Sequence, residues 1–189
     1  MKPVFLMIAI CSFLFSCNYD QKLQLEVQSY LDNYNKAYQR LSYESNKADW
    51  QSNIMIVEGD STNSIASRKA NEALAAFTGS TDNINKAKEY LKSKNRLKPL
   101  QVKQLEKILY KAANNPQTIA NIVKERIKAE TEQTQKLYGY KFKIKNVEIT
   151  PNGIDEILSS EKDINKRLEV WNASKESCKV LKDGLTNLQ

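Results

Sequence analysis

The sequence predicts an all-α fold with room for one short β-hairpin near residues 140–149. Three observations carry this. Only 5 glycines and 4 prolines interrupt 189 residues, while Lys, Glu, Gln, Ala and Leu, all good helix formers, are plentiful. Apolar residues recur at three- and four-residue spacing along most of the chain. Period-two alternation occurs at one place, Tyr140–Ile149. With 41% apolar and 27% charged residues the chain sits in the globular range, and its length suffices for one domain with a core.

The elements follow in order. Leu23, Val27, Tyr30, Tyr34, Ala37, Leu41 and Ala48 form the stripe of a long amphipathic helix reaching about Trp50, widened by Leu31 and Tyr38. The polar stretch Asn53–Asn63, containing Gly59, reads as a connection. A second helix is expected over Ser64–Phe77, closed by Gly79. Thr81 or Asp82 can cap a third, with Ile84, Ala87 and Leu91 inward. Pro99 suits a first helical position ahead of Val102, Leu105, Leu109 and Ala112. Asn115-Pro116 supplies a cap and another first-turn proline for a helix through Ile119, Ile122, Val123 and Ile127, stopping at Gly139.

In the strand segment, Tyr140, Phe142 and Ile144 alternate with Lys141, Lys143 and Lys145. The phase shifts at Asn146, which implies a bulge or a tight turn. Pro151-Asn152-Gly153 breaks the chain before a short helix, Ile154–Leu158. Ser160 with Asp163 resembles a capping box opening a final helix, whose face Ile164, Leu168, Trp171, Cys178, Leu181, Leu185 and Leu188 stays apolar to the penultimate residue.

The first residues have a different character. Lys2 is a minimal positive region, and Val4–Phe15 is an apolar run too short to span a bilayer. It ends in Leu14-Phe15-Ser16-Cys17, which resembles the bacterial lipobox. The expectation is therefore a signal peptide at 1–16, lipidation of Cys17, and a polar tether at 17–21. That would place the protein in the cell envelope as an exported, membrane-anchored lipoprotein. Two acyl chains hold a protein stably on a membrane where one does not. Removing residues 1–16 takes one of the 29 basic residues and none of the 22 acidic ones, so the mature chain keeps an excess of six positive charges. Export and the interspersed acids speak against nucleic acid as a partner.

The chain contains no histidine. That removes the commonest general base and the usual nitrogen ligand of zinc, and with them any Ser-His-Asp triad or HExxH helix. With Cys11 in the signal segment and Cys17 blocked by lipid, Cys178 is the one remaining thiol. No catalytic, metal-binding or cofactor-binding set is expected within this chain.

Two segments carry a resemblance. Ile149–Leu185, ITPNGIDEILSSEKDINKRLEVWNASKESCKVLKDGL, resembles the Pro–short helix–Leu-x-x-Trp segment of the angiotensin-converting-enzyme-like peptidyl-dipeptidases, with Pro151, Ile157, Ser160, Asp163, Leu168 and Trp171 in register. Tyr34–Ile54 is similar to that family's opening helix. The resemblance implies the N-terminal lid and first channel-wall helices of a mainly helical zinc peptidase that removes C-terminal dipeptides. Residues 22–189 would then stop before the zinc-binding half, leaving this chain inactive alone, dependent on that missing half, and with zinc and peptide substrate belonging to the full-length family. It further implies that Thr150 lines the substrate channel, where the family carries an acid before the proline. The alternative is a self-sufficient helical lipoprotein acting as a binding or scaffold module.

Other residues have plainer expectations. Cys178, Trp50 and Trp171 are read as core. Tyr30, Tyr34 and Tyr38 are read as packing on the inner stripe of the first helix. Asp155 and Glu156 are adjacent, so they diverge on a helix and serve as first-turn acids favoured by the dipole. Lys141, Lys143 and Lys145 guard a solvated strand edge.

Overall fold

The computed structural model describes residues 20–57 and 59–188, and carries the first helix back to Lys2. Among the described residues, eight α-helices and one hairpin follow in the order α1 (Lys2–Ile54), α2 (Thr62–Thr78), α3 (Thr81–Leu91), α4 (Pro99–Ala112), α5 (Ala120–Tyr138), β1 (Phe142–Ile144), β2 (Val147–Ile149), α6 (Pro151–Ser160), α7 (Ile164–Lys175) and α8 (Ser177–Asn187). The chain divides into two compact units. Met1–Ser45 with Asn71–Val123 form one, and Asn46–Ala70 with Lys124–Gln189 form the other.

In the first unit the expected stripe does what its spacing predicts. Val27, Leu31 and Tyr34 of α1 are buried against Ala87 and Tyr90 of α3, Leu97, and Leu105 and Ile108 of α4. Removing each large side chain of this kind from water stabilises by roughly 1.5–3 kcal/mol. Tyr30, Tyr34 and Tyr38 pack as expected: Tyr30 lies 5.4 Å from the Tyr90 ring and Tyr34 lies 4.9 Å from Phe77. Three polar links tie α1 to its neighbours. The Tyr90 hydroxyl donates to Glu26 at 2.8 Å, the Tyr30 hydroxyl to the Asn83 carbonyl at 3.2 Å, and Lys111 Nζ to the Tyr38 hydroxyl at 2.6 Å.

Gly79 does end α2, for a steric reason: a Cβ there would stand 1.4 Å from the Asn115 carbonyl oxygen. The backbone N–H of Gln117 completes the junction by donating to the Gly79 carbonyl at 3.1 Å. The cap of α3 is Ser80, whose hydroxyl accepts from Asn83 N, rather than Thr81 or Asp82. The Thr81 N–H is instead taken by Gln117 Oε1 at 2.8 Å. Pro116 is extended and leads into a 3-10 turn at Gln117–Ile119, so α5 starts at Ala120 and leaves Ile119 and Ile122 outside the core. At the other end, α1 takes in Asp20 and Gln21, and Asp20 pairs with Arg96 at 2.6 Å.

In the second unit, buried serines stand where bulky residues usually do. Ser67 Oγ donates to Asp49 at 2.5 Å, and Ser52, Ser64 and Ser177 are also buried. Asp60 accepts from the Thr62 N–H at 2.8 Å, so α2 begins two residues before Ser64. The phase shift at Asn146 is a tight turn: Lys145 (φ 51°) and Asn146 (φ 67°) both lie in the left-handed region, the signature of a two-residue type I′ hairpin. Strands β1 and β2 pair antiparallel with Lys143 opposite Glu148.

Pro151-Asn152-Gly153 is not a break but the first turn of α6, because Thr150 caps it and Pro151 occupies the first helical position. Asp155 and Glu156 consequently fall beyond the first turn. Ser160 ends α6, donating back to the Glu156 carbonyl, and Asp163 alone caps α7 by accepting from Asn165 N at 2.9 Å.

The expected final helix is two. At Glu176 the ladder tightens, with Glu176 N donating to Ala173 O and Lys179 N to Glu176 O, which shifts the helical phase. Val170 and Leu181 are therefore the buried apolar residues of α7 and α8, while Ile164 is 74% exposed and Leu168, Trp171 and Leu185 also face solvent. Among the described residues no helix is long and apolar enough to cross a membrane.

Candidate functional site

Two clefts in the second unit share the residues Tyr138, Thr150 and Pro151. The larger encloses about 1090 Å³ between the end of α5, the connection from Ile56 to Ser61, and the hairpin face carrying Lys143, Glu148 and Ile149. The smaller, about 820 Å³, is walled by Trp50, Asn53 and Ile54 of α1. Both are in the size range of sites that hold small ligands or short peptide segments.

Local sequence builds this corner. Gly139 ends α5, its N–H donating to the Gln135 carbonyl at 2.8 Å. A Cβ at Gly139 would stand 2.8 Å from that same oxygen and 3.3 Å from Ile56, so a larger residue would push the α5 terminus off the wall of the cleft. Tyr140 and Phe142 then meet edge to face at 4.9 Å and stiffen the entry to β1.

Thr150 follows β2 directly. Its hydroxyl accepts from the Gly153 N–H at 3.1 Å, and its carbonyl accepts from Ile154 N at 3.0 Å. A threonine hydroxyl has one proton and two lone pairs. With one lone pair committed to the cap, its O–H can still donate into the cleft, where the side chain is exposed. Thr150 borders both clefts.

The charges around the larger cleft are mixed. Lys141 and Lys143 line it, together with Asp60 and Glu148. Hydrogen bonds from Thr62 hold the Asp60 carboxyl below the usual aspartate range. Glu148 stands opposite Lys143 in the hairpin register. The lysines are therefore more than edge guards: two border the cleft, and Lys145 in the turn pairs with Glu169 at 3.1 Å. The lining offers donors, acceptors and apolar walls.

The other candidates fall elsewhere. Cys17 and the expected signal segment 1–16 lie outside the described residues. Cys178 is exposed rather than buried. Trp50 is 67% exposed rather than core. It sits two positions after Ala48, which on a helix is nearly the opposite face. Trp171 is half exposed, with the Lys175 ammonium 5.3 Å from its ring. Tyr138 and Trp50 are the site residues that sequence reasoning missed; for Trp50, its offset from the apolar stripe was the available signal.

The geometry is that of a helical framework that shapes two clefts in its second unit. Residues 21–186 match the Peptidase_M2 model, described as angiotensin-converting enzyme. The chain belongs to the angiotensin-converting enzyme family of peptidases. No curated protein and no solved structure matches it. The family's zinc does not fit the residues present. The sequence has no histidine, and among the described residues no three His, Cys, Asp or Glu side chains are grouped so as to hold a metal ion.

Proposed function

We propose that this chain forms the lid and first channel wall of an exported zinc peptidase that removes dipeptides from peptide C-termini. In that role it supplies peptide-facing surface, while zinc chemistry comes from residues outside these 189. The observation that supports this most strongly is the family match over residues 21–186, together with two clefts meeting at Thr150 and Pro151. An extended peptide would lie along this corner, with the Thr150 hydroxyl donating to a carbonyl and Tyr138 and Trp50 packing on side chains. Where the family carries an acid before the proline, Thr150 offers a neutral donor, so a basic side chain at that subsite gains nothing from charge.

Trp50 fluorescence tests the reading. In a Trp171→Phe chain Trp50 is the sole indole, and an N-acetylated peptide with a free carboxylate should change its emission saturably. Emission that stays constant up to millimolar peptide would sink the proposal. The same reading has the protein held on a membrane of the cell envelope through lipid on Cys17. Mass spectrometry should then find a mature N-terminus at Cys17 carrying acyl mass; an unmodified start elsewhere would remove the anchor from the account.

A further inference from the structure

The first unit gathers positive charge at one end. From Lys92 to Lys103 the chain carries five basic residues and no acid, a run bounded by Glu89 and Glu106. This segment folds back onto the first described turns of α1. Arg96 Nε donates to Asp20 at 2.6 Å, Gln24 Nε2 to the Arg96 carbonyl at 2.7 Å, and Gln101 Nε2 to the Gln24 carbonyl at 2.8 Å. Asp20 thus neutralises Arg96 and fixes the segment in place. Lys92, Lys94 and Lys98 are exposed and have no carboxylate partner among the described residues, and Leu100 beside them is 67% exposed.

We infer that the α3–α4 connection is a second membrane contact, in which Lys92, Lys94 and Lys98 bind anionic lipid headgroups beside the N-terminal anchor. The inference rests on the reading of Cys17 as the lipidated residue. Asp20 is three residues after Cys17, and three residues of any conformation span at most roughly 11 Å. That is about one Debye length at 0.1 M salt, so an anchored chain keeps the Asp20–Arg96 pair, at the centre of this basic segment, close to the surface. Clustered lysines beside a membrane are drawn to acidic headgroups, and an exposed leucine among them can enter the interface. Lipid is favoured over nucleic acid because the polar links above hold the cluster at the anchored end of α1.

The test floats the full chain on vesicles of phosphatidylcholine alone and of phosphatidylcholine with about one third phosphatidylglycerol, then pulses with an amine-acetylating reagent. Flotation on both, with Lys92, Lys94 and Lys98 acetylated several-fold more slowly on the anionic vesicles and Lys128 and Lys179 unchanged, is the expected result. High salt should erase the protection. Flotation only on anionic vesicles with the same protection keeps the patch and removes the anchor. Flotation on both without charge-dependent protection overturns the patch and leaves the anchor standing. Flotation on neither overturns both. Shielding of these lysines by a short DNA duplex but not by vesicles would assign the patch to nucleic acid and overturn the inference.

Discussion

Gln101 donates its side-chain amide to the Gln24 backbone carbonyl at 2.8 Å from a position only 2% exposed. Its oxygen accepts from the Lys98 N–H at 3.1 Å, so one buried amide both caps α4 and ties it to α1. Burying a polar group stabilises only when its bonds are met, and removing a partner costs about 1–3 kcal/mol for the group left behind. Gln101→Ala should therefore destabilise the first unit by about 2–3 kcal/mol, read as a lower urea midpoint by circular dichroism. Gln101→Glu should do no better at pH 7, because the carboxylate cannot donate to Gln24 and brings a charge into the core.

Tyr34 behaves in the opposite way. Its hydroxyl is buried with no hydrogen-bond partner among the described residues. Burial, reinforced by Tyr30 and Tyr38, pushes its pKa up to about 12. Tyr34→Phe should raise stability at pH 7, since the stranded hydroxyl is removed and the ring stays. The pH dependence has a defined sign. The folded pKa lies above the unfolded value of 10, so the stability is fully present below pH 10 and is lost as pH rises from there to about 12. Denaturant midpoints should show the Tyr34→Phe variant losing less than the parent over that window. Parallel curves for the two chains would contradict this.

Thr150 has two roles that substitution can separate. Its hydroxyl caps α6, and Thr150→Ala should cost about 1 kcal/mol. Thr150→Ser keeps both the cap and the donor. Thr150→Asp keeps the cap but replaces the cleft's donor with a negative charge. Thermal melts should rank the Ser and Asp variants near the parent and the Ala variant below it. Peptide binding should separate Ser from Asp.

Much of this was legible in the residues themselves. The stripe of Val27, Leu31 and Tyr34 and the proline at the start of α4 were readable because local spacing and a fixed φ decide them. The corner at Thr150 was reached through a family resemblance rather than through periodicity. The unread parts were settled by contacts distant in sequence. The Thr81 N–H is taken by Gln117, which leaves capping to Ser80. One tightened turn at Glu176 splits the expected final helix in two, with Val170 buried on the first and Leu181 on the second. Pro151-Asn152-Gly153 carries the composition of a turn, yet a threonine cap converts it into a helix start. Tyr138 entered the site because α5 ends beside the hairpin, a juxtaposition that no window of sequence contains.

As proposed, this chain presents peptide-binding surface at the Tyr138–Thr150–Pro151 corner and leaves peptide chemistry to residues outside it. The most direct measurement is photo-crosslinking with an N-acetylated peptide that carries a benzophenone side chain and a free C-terminus, mapped by mass spectrometry. The account predicts crosslinks concentrated in residues 50–61 and 138–152, competed by unlabelled peptide, with the probe otherwise intact in the presence of zinc. Crosslinks confined to the first unit, or release of a C-terminal dipeptide that stops when a chelator is added, would contradict it.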